Sequence, residues 1–171
     1  AGPVSAVQIK TKEKDGYEAV VFCFGQKKEK NVNKAQRKLG NFAHLKEHRM
    51  ENGEAKSELG SIIDVSVFNE GDIVEVSGIS KGKGFQGVVK RHGFRGGQRT
   101  HGQKHSERKP GSIGGGLRTR VPSGMRMAGR MGSDRVTVKN LKIVKIDKDK
   151  NQILILGAVP GGRGTLLEIR G

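Results

Sequence analysis

Gly82-Lys83-Gly84-Phe85-Gln86-Gly87 spells a GxGxxG run, and the chemistry such a run serves is recognition of a dinucleotide pyrophosphate. That use needs a strand before the run and a helix opening directly after it, inside a βαβ unit, so that backbone N–H groups meet the phosphates. Here Val88-Val89-Lys90-Arg91-His92-Gly93 reads as a brief strand heading into more glycine. Glycines that let one backbone approach another closely are the better reading. His101 and His105 have the i, i+4 spacing of a zinc pair, but the one carboxylate nearby is Glu107 and the single cysteine, Cys23, is remote in sequence. A zinc site needs at least a third ligand, so these imidazoles fit stacking on bases or bonding to phosphates better. Ser106-Glu107 and Ser112 lie near histidines only in sequence, with no GxSxG elbow and no paired-carboxylate motif. Neither an enzyme, a cofactor, a metal nor a small-molecule substrate is expected.

What this stretch does carry is charge. From Lys81 to Met131 it holds thirteen Lys/Arg, thirteen Gly and one acid, Glu107, which places twelve of the chain's sixteen net positive charges there. The bases are Lys81, Lys83, Lys90, Arg91, Arg95, Arg99, Lys104, Arg108, Lys109, Arg118, Arg120, Arg126 and Arg130. Ordinary soluble surfaces intersperse both signs, and this one does not. Eight of the thirteen are Arg, which can grip phosphate oxygens bidentately and stack on bases. Phe85 and Phe94 are the only aromatics present, too few for a single-strand stacking platform. Backbone tracking of folded RNA or of a duplex is the expected mode, with His101 and His105 contributing. No core can form from such a stretch, so free in solution it is expected to be disordered.

The elements that must position it read mostly as strands. Val4 to Lys10 and Glu18 to Phe24 flank Lys14-Asp15-Gly16-Tyr17, whose Asp-Gly signals a tight hairpin turn. Ile62 to Phe68 and Ile73 to Ile79 follow, then Arg135 to Ile146, Gln152 to Val159 and Thr165 to Ile169, separated by Gly-, Asp- and Asn-containing turns. Seven short strands predict a mainly β fold built as a small antiparallel barrel. The barrel comprises residues 1–80 and 132–171. Residues 31–58 interrupt it: Ala35, Leu39, Phe42 and Ala43 have helical spacing, leaving a short basic helix and an irregular excursion equally open, and 51–59 reads as a solvated link. Residues 81–131 form a long loop between two barrel strands, and loops of that length are usually functional. At 171 residues with a pI near 10.3, the chain calls for an anionic partner. No apolar run approaches the roughly 18 residues of a membrane span. Cys23 lies in Ala19-Val20-Val21-Phe22-Cys23-Phe24, as a buried thiol in a reducing compartment would.

Taken together, Ser80-Lys81-Gly82-Lys83-Gly84-Phe85-Gln86-Gly87, Pro110-Gly111-Ser112-Ile113-Gly114, Arg126-Met127-Ala128-Gly129-Arg130-Met131-Gly132, Arg135-Val136-Thr137-Val138 and Gly157-Ala158-Val159-Pro160-Gly161 closely resemble universal large-subunit ribosomal protein three in its bacterial form. The resemblance implies a six- or seven-stranded barrel on the solvent side of the large subunit and a loop penetrating large-subunit (23S-type) rRNA. It also implies a role in early assembly, neighbouring ribosomal proteins as further partners, and a cytoplasmic location in the particle. The loop tip, placed by the resemblance near the peptidyl transferase centre, maps to Gly111, Ser112, Ile113, Gly114, Gly115, Gly116, Leu117, Arg118 and Thr119. Many bacterial members carry a methylated glutamine just after Gly-Ser-Ile-Gly; Gly115-Gly116-Leu117 stands there instead, so no such modification is expected. A nucleotide-binding enzyme on the GxGxxG run, or a free RNA chaperone or DNA-packaging protein, are the rival readings.

Overall fold

A computed structural model describes residues 1–50, 58–116 and 119–171. Strands dominate. In chain order they are β1 (Val4–Lys10), β2 (Ala19–Gln26), β3 (Phe42–Arg49), β4 (Ile62–Ile63), β5 (Ile73–Ile79), β6 (Phe85–Gln86), β7 (Gly129–Arg130), β8 (Arg135–Asp147), β9 (Gln152–Leu156) and β10 (Leu167–Arg170). Two short helices, α1 (Lys12–Asp15) and α2 (Val88–His92), accompany them. The expectation of a mainly β chain holds. The single barrel is not what the ladders draw: among the described residues the strands form open four-stranded sheets ordered β3-β2-β1-β4 and β10-β5-β8-β9, with a separate β6-β7 ribbon. The chain divides into two compact units, Ala1–Val74 with Leu141–Gly157 and Gly171, and Glu75–Asn140 with Ala158–Arg170.

In the first unit β2 is central because its sequence is almost wholly apolar. Ala19, Val20, Val21 and Cys23 are all buried, matching the buried cysteine expected. β1 pairs with it antiparallel from Ser5↔Cys23 to Lys10↔Ala19, with a bulge between Ala6 and Gln8. The connection is not the tight Asp-Gly turn that the sequence suggests. Thr11 to Gly16 forms one helical turn, closed by the amides of Asp15 and Gly16 on the carbonyls of Thr11 and Lys12. Only Gly16 takes a positive φ, and the Asp15 carboxylate accepts from the Thr11 amide instead of supporting a second left-handed residue. Val65, Val74, Leu141 and Ile143 complete the buried set of this unit with Ala6 and Val32. Each of the larger side chains supplies about 1.5–3 kcal/mol on burial.

Two further expectations fail here for local reasons. The helical spacing of Ala35, Leu39, Phe42 and Ala43 yields no α-helix. Residues Arg37–Leu39 make a single 3-10 turn ended by Gly40, and Phe42–Arg49 is a full strand on β2, in register from Gln26↔Phe42 to Ala19↔Arg49. An apolar strand edge that pairs seven residues outweighs four weakly helical positions. Ile62 to Phe68 gives only two strand residues, because the Asp64 carboxylate caps the Val65 amide at 2.7 Å and starts the 3-10 turn Val65–Val67. The link expected at 51–59 lies, for residues 51–57, outside the described residues.

At the end of the β2–β3 ladder, Lys10 donates to Glu47 at 2.5 Å and to Tyr17 Oη at 2.7 Å, while the Arg49 guanidinium lies 4.6 Å from the Tyr17 ring centroid. The bond from Lys10 holds the Glu47 carboxyl below the ordinary carboxylate range, and the Lys10 ammonium is correspondingly raised. A carboxyl with a depressed folded value stabilises the fold above its unfolded pKa and stops doing so as pH falls through the folded one. Replacing Glu47 by Gln should therefore lower the urea midpoint at pH 7 and narrow its gap from wild type at pH 3. An unchanged gap across that range would remove this pair from the pH dependence.

In the second unit, β5 pairs β10 antiparallel from Leu167↔Gly78 to Arg170↔Glu75. Val76 and Ser77 are buried there, and the Ser77 hydroxyl meets that of Thr137 at 2.7 Å. Residues 80–134 leave at the end of β5 and return at the start of β8.

Candidate nucleic-acid interface

The excursion begins with a neck that the chain builds from its own backbone. The Ser80 amide donates to the Asp134 carbonyl at 2.9 Å and the Ser133 amide to Ser80 at 3.2 Å. Further out, Lys83 donates to Met131 at 2.9 Å and Met131 to Gly84 at 3.0 Å, leading into the β6–β7 ribbon with Phe85 opposite Arg130. The two sides approach so closely that Gly132, at φ +80°, has the Lys81 carbonyl oxygen 2.1 Å from where a Cβ would sit. On the returning side only Gly129–Arg130 is strand. The run's own glycines are not what the close approach requires: a Cβ on Gly84 or Gly87 would have nothing within 4 Å and one on Gly82 would meet the Ser133 hydroxyl at 2.9 Å, so the tight backbone contact falls on Gly132.

The residues after the run form helix α2 and not the brief strand expected. Its last-turn bases, Lys90, Arg91 and His92, face the negative end of the helix, and Gly93 caps it in the left-handed region by donating to the Val88 and Val89 carbonyls. Val88 is buried and anchors it. Five residues are far short of the helix in a βαβ unit, and the neighbouring ribbon is antiparallel. The dinucleotide reading therefore fails on topology even though a helix is present.

Arg91 is the sequence-expected phosphate ligand that the fold uses most for itself. Its Nη1 donates to the Met127 carbonyl at 2.7 Å, where His92 Nε2 also lies at 3.0 Å. The His92 ring sits against Phe94 with centroids 5.9 Å apart. Lys81, Lys83, Arg91, His92 and Arg130 then line one groove of about 550 Å³ together with Ser80, Met131, Gly132, Asp134 and Gly161. Sequence reading placed neither His92 nor Asp134 at a site, because a strand at 88–93 would have separated them from the neck.

Beyond the neck lies a second station. Gly97 donates to the Glu107 carbonyl at 2.9 Å, and Gly96, at φ +77°, leaves the Glu107 carbonyl oxygen 2.0 Å from a would-be Cβ. Glu107, the segment's one acid, accepts from Arg99 at 2.7 Å on the open surface. Such a pair contributes little stability, but it removes the only local counter-charge from the other bases. Arg95, Arg99, His101, Lys104, His105, Arg108 and Lys109 are exposed, as are Lys81, Lys83, Lys90, Arg120, Arg126 and Arg130. Arg118 and Leu117 lie outside the described residues. Gly111, Ser112, Ile113, Gly114, Gly115, Gly116 and Thr119 are exposed, and nothing lies within 4 Å of a Cβ built on Gly111, Gly114, Gly115 or Gly116. Among the described residues, backbone hydrogen bonds tie the two sides of this stalk together, and its described bases apart from Arg91 are exposed. Among the described residues no three His, Cys, Asp or Glu side chains could hold a metal, and no helix is long and apolar enough to cross a membrane.

A family model described as ribosomal protein L3 matches residues 7–158. A protein of Finegoldia magna named large ribosomal subunit protein uL3 is 44% identical, over 99% of this chain and 84% of its own length. Its namesake in Chloroherpeton thalassium is 48% identical over 99% and 85%, and that of Vibrio parahaemolyticus 49% over 92% and 78%.

The neck's close approach gives a test. Gly132→Ala should cost the neck roughly 2 kcal/mol or more, from left-handed strain together with the clash on Lys81. The check is amide exchange: Lys83 and Met131 should lose protection while β1 and β2 keep theirs.

Proposed function

The chain belongs to the ribosomal protein L3 family, and we propose that it is a structural component of the large ribosomal subunit whose segment 81–131 binds 23S-type rRNA. The observation that carries this reading is the state of the bases: thirteen in one segment, with the one acid already paired and the described ones, Arg91 apart, exposed to solvent. Such a surface is stable only against a polyanion, and folded RNA supplies phosphates at the density it needs. In this reading the two sheets, which the resemblance would close into a small barrel, remain on the solvent side as the anchor. Lys81, Lys83, Lys90 and Arg130 meet rRNA at the neck, with Arg91 positioning it. Arg95, Arg99, His101, Lys104, His105, Arg108 and Lys109 do so along the stalk, and Arg118, Arg120 and Arg126 near its end. Gly111 to Thr119 then approach the peptidyl transferase centre, where the chemistry belongs to the RNA. Early binding during subunit assembly, contacts with neighbouring large-subunit proteins and a cytoplasmic location complete the proposal.

Association with the particle should survive a high-salt wash, with the chain cosedimenting with large subunits. A free pool alone would overturn the reading. Replacing exposed Lys104, Arg108, Lys109 and Arg120 together by Gln should weaken binding to large-subunit rRNA. It should also make the plot of log affinity against log salt about 3 shallower, near 0.7–0.9 for each phosphate no longer neutralised. An unchanged slope would mean that these bases do not meet phosphates.

A further inference from the structure

We propose that the groove at the neck receives one unstacked nucleotide and reads its base, a use distinct from the neutralisation of phosphates along the stalk. The inference rests on the rRNA-binding reading and names the ligand of this part of it. Three features of the groove ask for more than a phosphate. At about 550 Å³ it falls within the roughly 300–1,000 Å³ of small-molecule sites, and a single phosphate would leave most of it empty. It is lined by two flat, polar side chains already fixed in place: Arg91 and His92 are both tied to the Met127 carbonyl, at 2.7 and 3.0 Å. Guanidinium and imidazole planes are surfaces on which splayed-out bases stack, and locking them beforehand removes ordering cost from binding.

The third feature is a carboxylate. Asp134 lines the groove beside Lys81, Lys83 and Arg130, and it forms no ion pair among the described residues. An acid in a groove built only for phosphate would repel its ligand. In a groove built for a nucleotide it has work: it accepts from an amino group on the pairing edge of a base, as acids do from cytosine, while the lysines hold the attached phosphate. The ligand class is therefore one unpaired, amino-bearing nucleotide in a looped or single-stranded stretch of rRNA.

Opposite signs separate the alternatives. Full-length wild type, Asp134→Ala and Lys83→Ala would be titrated with large-subunit rRNA at several salt concentrations, and the bound RNA probed with dimethyl sulfate and a glyoxal. The wild type should hide the pairing edge of one unpaired nucleotide. Asp134→Ala should re-expose that nucleotide and weaken binding roughly 5- to 150-fold with the salt slope unchanged. Lys83→Ala should weaken binding with a slope shallower by about 0.7–0.9. Equal or tighter binding by Asp134→Ala overturns the proposal, since loss of a negative charge from a phosphate-only groove gives that result. So does a wild-type footprint with no hidden base edge, a reading that needs no variant to fold. In either case loss of affinity in Lys83→Ala keeps the rRNA reading, whereas wild type that prefers no large-subunit rRNA over unrelated RNA sinks both.

Discussion

Like charges on exposed side chains repel across roughly 8–10 Å at physiological ionic strength, and among the described residues only the Arg99–Glu107 pair sets a carboxylate against a base of residues 81–131. Twelve net positive charges sit on a segment whose glycines offer no side chains to pack. The one carboxylate within it already meets Arg99. Everything else in the structure can be seen as accommodating that condition. The apolar residues are concentrated in the sheets, where β2 and its neighbours bury them, and little is asked of the excursion except to leave and return at a fixed place.

Fixing that place is the task of the neck. Backbone hydrogen bonds between Ser80 and Asp134, and between Lys83 and Met131, need no apolar cover and no opposite charge. They need only that two chains come close, which Gly132 permits. Arg91 turns a repulsive group into a structural one by donating to the Met127 carbonyl. The same bond holds it at the wall of the groove, so the group that closes the neck also shapes the site beside it. Charge not used in this way stays exposed on the described bases of the segment.

How much of this was legible in the sequence depended on whether a signal was local. β1, β5 and β8 were readable because alternating apolar residues bounded by turn residues state a strand without outside help. The basic segment was readable because composition needs no geometry. Val88–His92 was misread: its β-branched start suggests a strand, yet burial of Val88 and the cap at Gly93 make a helical turn, and those are tertiary facts. Phe42–Arg49 was misread in the opposite sense, since its strand exists because β2 offers a ladder. Consequently the bases of the interface were nameable in advance. The groove was not, because His92 and Asp134 reach it only through the helix and the neck.

The central claim is that RNA completes a surface which this chain leaves open, and amide exchange of residues Gly111–Gly116 tests it most directly. The account predicts open-chain exchange of these amides in the free full-length protein and slow exchange once the protein is in purified large subunits. Equally fast exchange in both states, or protection already present in the free chain, would contradict it.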